Sequence, residues 1–375
     1  MFDSCGYYEV AGRHHHNKFK AYADAFSMRQ TPHWNFHEDV FSHYNWREEP
    51  QSTLRDLYRD RAQRIRDTSD YVIVMFSGGA DSWTVVNSFV SNNIFIDEIW
   101  TMAPVDWTQP WNRSLSPYNA ANEVRFAAIP EAKKFLSQSP KTKFRVIHSG
   151  ELIVDFWSKN TLDAESHNHF AAEAPIRNYA SEFFSPSIPK NVNKVRIVGI
   201  DKPRILYKNG QFFLYFFDSN AWSRLGDRSR ADILDYDMAF YWHPDSTELL
   251  AKQAHIMKRW FKKNPTYLSL LNLGHQTEQY QYFANRLVYP DYDFGIWQAH
   301  KSDGLWDFAI YKPFSSNLQS RATQNWRRSI IKYSDAVYDM FRDNHRLDDN
   351  QVKLSKYDWY HSLPGCYSKF YDLGT

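Results

Sequence analysis

Glycine is scarce in this chain. There are 13 in 375 residues, no more than about half of the ordinary usage of roughly 7%. A Gly-Gly pair therefore stands out. Cysteine is scarcer still. Cys5 and Cys366 are the two present, which excludes a disulfide scaffold and any CxxC-type zinc or iron–sulfur site. Long apolar runs are missing. The longest, Tyr71–Phe76 and Phe212–Phe217, have six residues each, against the roughly 20 needed to cross a bilayer. The opening MFDSCGYYEV has neither the basic start nor the apolar stretch of a signal peptide. The expectation is a reducing, cytoplasmic setting with no membrane partner. A charge surplus is missing too. Lys plus Arg number 45, Asp plus Glu 43, and the net charge is +2. That does not mark a protein that coats nucleic acid, although it leaves room for a local basic patch. No repeat, low-complexity tract, GxxxxGK[ST] or GxGxxG is present.

What is there divides into three regions. Residues 1–50 are rich in aromatics and histidine without a clear period, and read as an irregular arm packed on something else. Residues 51–204 carry alternating strand and helix signals. Ser52 is placed to cap a helix whose Leu54, Leu57, Tyr58, Ala62 and Ile65 recur at helical spacing. Strands are expected at Tyr71–Phe76, Ile94–Met102, Phe144–His148 and Val195–Ile200. Helices are expected over Ser82–Ser91 and, after Pro130, over Glu131–Ser137. This alternation predicts an α/β fold with an open parallel sheet. Ligands of such sheets bind beyond the carboxyl ends of the strands. Residues 205–375 begin with a β-hairpin around Asn209-Gly210 and become mostly helical. The apolar spacing falls at Leu249–Phe261 and again at Ile330–Phe341.

The Gly-Gly pair lies in Ser77-Gly78-Gly79-Ala80-Asp81-Ser82, between the first strand and its helix. Adjacent glycines let backbone approach a ligand closely. Successive N–H groups and the helix N-terminus favour an anion at that point. Ser77 and Ser82 add hydroxyls. Asp81 would repel a phosphate unless a cation lies between, which points to Mg²⁺.

In that strand–loop–helix setting SGGADS matches SGGxDS, and the chain resembles the PP-loop family of N-type ATP pyrophosphatases, within the adenine nucleotide alpha hydrolase-like superfamily. The resemblance rests on this hexapeptide and on a compatible pattern over about Tyr71–Lys202. It implies a Rossmann-like sheet and ATP cleaved between its α and β phosphates, with Ser77, Gly78, Gly79, Ala80, Asp81 and Ser82 around the pyrophosphate. Gly199-Ile200-Asp201-Lys202-Pro203-Arg204 falls where the family places a second phosphate-contacting segment. By that resemblance Lys202 and Arg204 neutralise the departing pyrophosphate, Asp201 shares Mg²⁺ with Asp81, and Met102 meets adenine.

The implied reaction joins AMP to an acceptor oxygen, which opens the adenylated carbon to a nucleophile. The cysteine count disfavours sulfur insertion and a zinc-binding branch. Phe2 disfavours an amidotransferase with an N-terminal catalytic cysteine. An amide- or amine-forming ligase, or a nucleobase-modifying enzyme, remains. The acceptor is left open between a small molecule and a nucleotide in RNA, as is a homo-oligomer built through the aromatic-rich helical region. Two alternatives stand beside this. One is a PAPS-reductase-like, thiol-dependent enzyme using Cys366, although Leu363-Pro364-Gly365-Cys366-Tyr367 departs from that family's tail. The other is a nucleotide-binding module without chemistry, against which the intact Asp81 and serines speak.

Other clusters are weaker signals. His14, His15, His16, His33, His37 and His43 crowd the arm; His33 and His37 are spaced i, i+4, as two metal ligands on one helix face would be, but Pro32 and Trp34-Asn35-Phe36 give no convincing helix. Glu165, His167, His169 and Arg177 fall between the third and fourth strands, where substrate loops are expected. His243, Asp245 and His255 are candidates for an acceptor pocket. Trp107, Trp111 and Tyr118 are either core or a stacking surface. Arg55, Arg59, Arg61, Arg64 and Arg66 are either an RNA-binding face or a solvated helix face balanced by Asp56, Asp60 and Asp67, the second being favoured.

Overall fold

The computed structural model describes residues 6–15, 21, 24–25, 27–103, 123–148, 189, 191–199, 202–218, 237–271, 278–296 and 367–375. The expectations on Cys5, Cys366, His16, Trp107, Trp111, Tyr118, Glu165, His167, His169, Arg177, Asp201 and the 330–341 helix lie outside these.

The arm is more ordered than its sequence suggests. Strands β1 (Tyr7–Val10), β2 (Arg13–His15) and β3 (His33–Asn35) form an antiparallel sheet in the order β2-β1-β3. Its apolar side chains join the main core. Phe36 stacks on Trp34 at 4.7 Å between ring centroids and meets Phe216 at 5.0 Å.

Helix α1 (Leu54–Asp67) is capped by Thr53, one residue after the expected Ser52. Thr53 and Asp56 exchange side-chain-to-backbone bonds in a capping box. The buried face carries Leu54, Leu57, Tyr58, Ala62 and Ile65 as the spacing predicts, and also Arg61. The arginines of this helix have acidic or main-chain partners within the protein. Arg61 donates to the carbonyls of Phe240 and Ala239, and Arg66 pairs with Asp97 at 2.7 Å. Arg55 pairs with Asp291, and Arg59 with Asp56 and Asp60.

Next come β4 (Tyr71–Met75), α2 (Ala80–Val90), β5 (Glu98–Ala103), α3 (Ile129–Gln138), β6 (Lys143–His148) and β7 (Lys194–Val198). α2 starts two residues before the expected Ser82, and β5 starts four after the expected Ile94. Residues 91–95 form a turn and a connection, with Asn93 at positive φ. A π-helical turn, Val124–Ala128, leads into α3. Pro130 has no N–H to return to the carbonyl of Phe126, so a regular α ladder cannot run through this point.

Beyond residue 203 lie β8 (Arg204–Lys208), β9 (Gln211–Tyr215), β10 (Asp237–Ala239), α4 (Thr247–Lys263), α5 (Glu278–Val288) and β11 (Tyr371–Gly374). β8 and β9 are the expected hairpin, turning at Asn209 (φ 53°) and Gly210 (φ 79°). β11 pairs with β9. The short β10 gives no strand signal of its own, yet it extends the parallel sheet across the boundary drawn near residue 205.

The central sheet has five strands in the order β10-β7-β4-β5-β6, all parallel. The chain runs outward from β4 through β5 to β6, then returns to the other side of β4 with β7. This is a Rossmann-like α/β architecture with its reversal point between β4 and β7. One buried cluster joins the sheet, the arm, the hairpin and α4. No helix of the described residues is long and apolar enough to cross a membrane.

Candidate anion site at the β4–β7 reversal

The loop Phe76–Gly79 leaves the carboxyl end of β4 at that reversal. Gly78 has φ +80°, a conformation costly for any residue with a Cβ. A Cβ there would also lie 2.6 Å from the amide nitrogen of Ala128, because the π-helical turn is packed against the loop. Gly79 is the extended residue before α2. The serines knit the loop together. Ser82 Oγ accepts from the Ser77 amide at 3.2 Å and lies 3.2 Å from Ser77 Oγ. Ser82 Oγ also donates to the Gly79 carbonyl. The amides opening α2 have no partner within the helix and point to the same place.

The segment after β7 arrives beside this loop. Gly199 sits against the backbone of Ser82. Lys202 is 2% exposed, and its Nζ lies 3.6 Å from Asp81 Oδ1. The structure therefore brings together Ser77, Gly78, Gly79, Ala80, Asp81, Ser82, Gly199 and Lys202. Arg204 is buried on β8 with its guanidinium 4.4 Å from the centre of the Phe217 ring. Met102 is on β5, level with Ile147 of β6, near the carboxyl edge of the sheet.

Three residues that sequence reasoning missed complete the site. Tyr241 donates to the Asp81 carbonyl at 2.7 Å, Tyr292 donates to the Gly78 carbonyl at 2.9 Å, and Tyr289 donates to Asp81 Oδ1. Their donors lie 160 to 214 positions along the chain from their acceptors, and nothing local in sequence marks them. Trp83 closes the far side, with its ring 5.5 Å from that of Tyr292 and its Nε1 donating to Glu131 at 3.0 Å.

The side chain of Asp81 is 36% exposed. Among the described residues Tyr289 and Lys202 both meet Oδ1 of its carboxylate. No group of three or more His, Cys, Asp or Glu side chains among the described residues could hold a metal unaided. The donors present suit Mg²⁺, which binds through one or two carboxylates and the oxygens of a phosphate substrate.

The histidine candidates have structural partners. His243 Nδ1 accepts from the Asp245 amide at 3.1 Å, and burial pushes its pKa down to about 2. His255 Nε2 lies 2.9 Å from the Trp46 carbonyl, and burial lowers its pKa as well. His33 pairs with Glu38 at 2.8 Å, an ion pair that raises its pKa.

No protein-family model matches the chain, and no curated protein matches it either.

Proposed function

We propose that the protein is an AMP-forming ATP pyrophosphatase of the PP-loop type. In this reading it cleaves ATP between the α and β phosphates and adenylates an acceptor. The observation that carries the reading is the position of SGGADS. The loop lies at the reversal point of a parallel sheet, with Gly78 at φ +80° and the buried Lys202 ammonium 3.6 Å from Asp81. A carboxylate and an ammonium beside an amide-lined loop are suited to a polyphosphate carrying a cation.

In this mechanism the amide of Gly78, the amides of the first turn of α2 and the hydroxyls of Ser77 and Ser82 bind the β and γ phosphates. An acceptor oxygen attacks the α phosphorus, and the bond to the bridging oxygen breaks. Lys202 neutralises the charge that accumulates on the departing pyrophosphate. Asp81, joined by Asp201 in the family pattern, would hold Mg²⁺, whose contribution is to offset charge on the phosphate oxygens. The enzyme's own part is mainly positioning and electrostatics. Lys202 is the cation beside Asp81, and Arg204 is the second cation proposed for the pyrophosphate. The acceptor is a small molecule or a nucleotide in RNA; ammonia or an amine then attacks its adenylated carbon, the carbon–oxygen bond to AMP breaks, and AMP leaves.

The test is incubation with α-labelled ATP, Mg²⁺ and a panel of carboxylate, amide and nucleobase acceptors. AMP and pyrophosphate are the expected products; ADP and inorganic phosphate would overturn the reading. Asp81→Asn and Lys202→Met should each lower turnover at least about a hundredfold, the scale seen when a charge-stabilising group is removed. Circular dichroism should show both variants folded.

A further inference from the structure

Asp81 presents an electrostatic problem. Its carboxylate stands in the first turn of α2, beside amides that favour any anion. A carboxylate free to rotate would compete with a ligand phosphate for those amides and would repel it. In the structure the carboxylate has other partners. Tyr289 donates its hydroxyl to Oδ1, Lys202 Nζ lies 3.6 Å from the same oxygen, and Lys202 also sits 5.8 Å from the centre of the Tyr289 ring. Tyr289 is itself fixed. It is fully buried at the end of α5, its amide donates to the Asn285 carbonyl at 2.9 Å, and its ring meets Tyr241 at 5.8 Å.

We infer that Tyr289 is a positioning residue that holds the Asp81 carboxylate to the side, against Lys202, and so keeps the amides of the first turn of α2 available to a polyphosphate. This rests on the ATP-site reading above and deepens it. The hydroxyl acts on the ligand only through the charge on Asp81. Tyr292 and Tyr241 donate to main-chain carbonyls instead, so their effect is on loop shape and not on that charge.

The distinction can be measured without turnover. Pyrophosphate binding in metal-free buffer is followed by titration calorimetry for the wild type, Tyr289→Phe, Asp81→Asn and the double variant. Phenylalanine keeps the ring and removes the hydroxyl. A hydrogen bond to a charged group corresponds to about a tenfold change in affinity, so Tyr289→Phe should weaken binding about tenfold. Asp81→Asn should bind metal-free pyrophosphate more tightly than the wild type. In that background Tyr289→Phe should change affinity less than about twofold, the signature of two residues acting as a unit. Tyr292→Phe should have the same effect whether residue 81 is Asp or Asn. Wild-type affinity in Tyr289→Phe, an equal loss in both backgrounds, or the same background dependence for Tyr292→Phe would overturn the assignment. Failure of the wild type to bind either pyrophosphate or ATP would instead overturn the ATP-site reading, and the assignment with it.

Discussion

Gly199 and Ser82 meet backbone to backbone: a Cβ on Gly199 would lie 3.0 Å from both the Cα and the amide nitrogen of Ser82. The end of β7 and the first turn of α2 can approach this closely only where one side has no side chain. That approach brings Lys202 to Asp81.

Gly199→Ala should therefore push β7 and α2 apart by a few tenths of an ångström. Overpacking of this kind costs about 1–3 kcal/mol. Urea unfolding should report that loss, and under the proposed function ATP binding should weaken with it. Wild-type stability and affinity together would show that the contact gives without effect.

Gly78 and Gly210 have nearly the same φ, +80° and +79°, but different surroundings. Nothing lies within 4 Å of a Cβ on Gly210, whereas one on Gly78 would strike the Ala127–Ala128 backbone. Gly210→Ala should cost about 1 kcal/mol, from conformation alone. Gly78→Ala should cost about 3 kcal/mol or more, because strain and a clash add. Denaturant midpoints of the two variants compare them directly.

His243 is neutral in the folded protein, with a pKa of about 2 against 6.5 ordinarily. An unfolded chain takes up a proton there as pH falls below 6.5, and the folded chain does not. Stability from this group is complete above pH 6.5 and declines below it. Between pH 6.5 and 5 the decline is about 2 kcal/mol. His255 is shifted in the same direction and adds to it. His33 is raised by Glu38, so its contribution is present below 6.5 and lost on going up, but its side chain is nearly half exposed and the effect is small. Urea melts across pH 5–8 should show a steeper acid decline in the wild type than in His243→Gln.

Glu98 is fully buried at the start of β5. It accepts from Tyr71 Oη at 2.7 Å, Trp100 Nε1 at 2.6 Å and Arg145 Nη2 at 2.9 Å. These donors hold its carboxyl below the usual range against the opposing effect of burial. Arg145→Met would leave the charge buried with two neutral donors, at a cost of about 3 kcal/mol. Arg145→Met with Glu98→Gln should recover part of that loss, as chemical denaturation would measure.

The loop, the strand before it and the helix after it were legible because each is a local pattern. Tyr71–Met75 is continuously apolar, two glycines follow, and Val85, Val86 and Phe89 recur at helical spacing. The hairpin was legible for the same reason, since Asn209-Gly210 suits a turn with two positive φ values. The arm's sheet and β10 were not. Strands of three or four residues carry too few positions to show a period, and their partners are chosen by the surfaces that they meet.

The sequence by itself determined the chemistry available at one point: amides, two hydroxyls and a carboxylate at the mouth of a parallel strand. Tertiary structure decided what surrounds them. The return of the chain beside β4 brought Lys202 to Asp81, while β8 turned Arg204 onto Phe217. The fold also set three tyrosine hydroxyls on the loop and the first turn of α2 from the region after the hairpin. The physical reason is distance along the chain. Backbone conformation follows near neighbours, but a hydrogen bond between residues 208 positions apart exists only once the layers have packed.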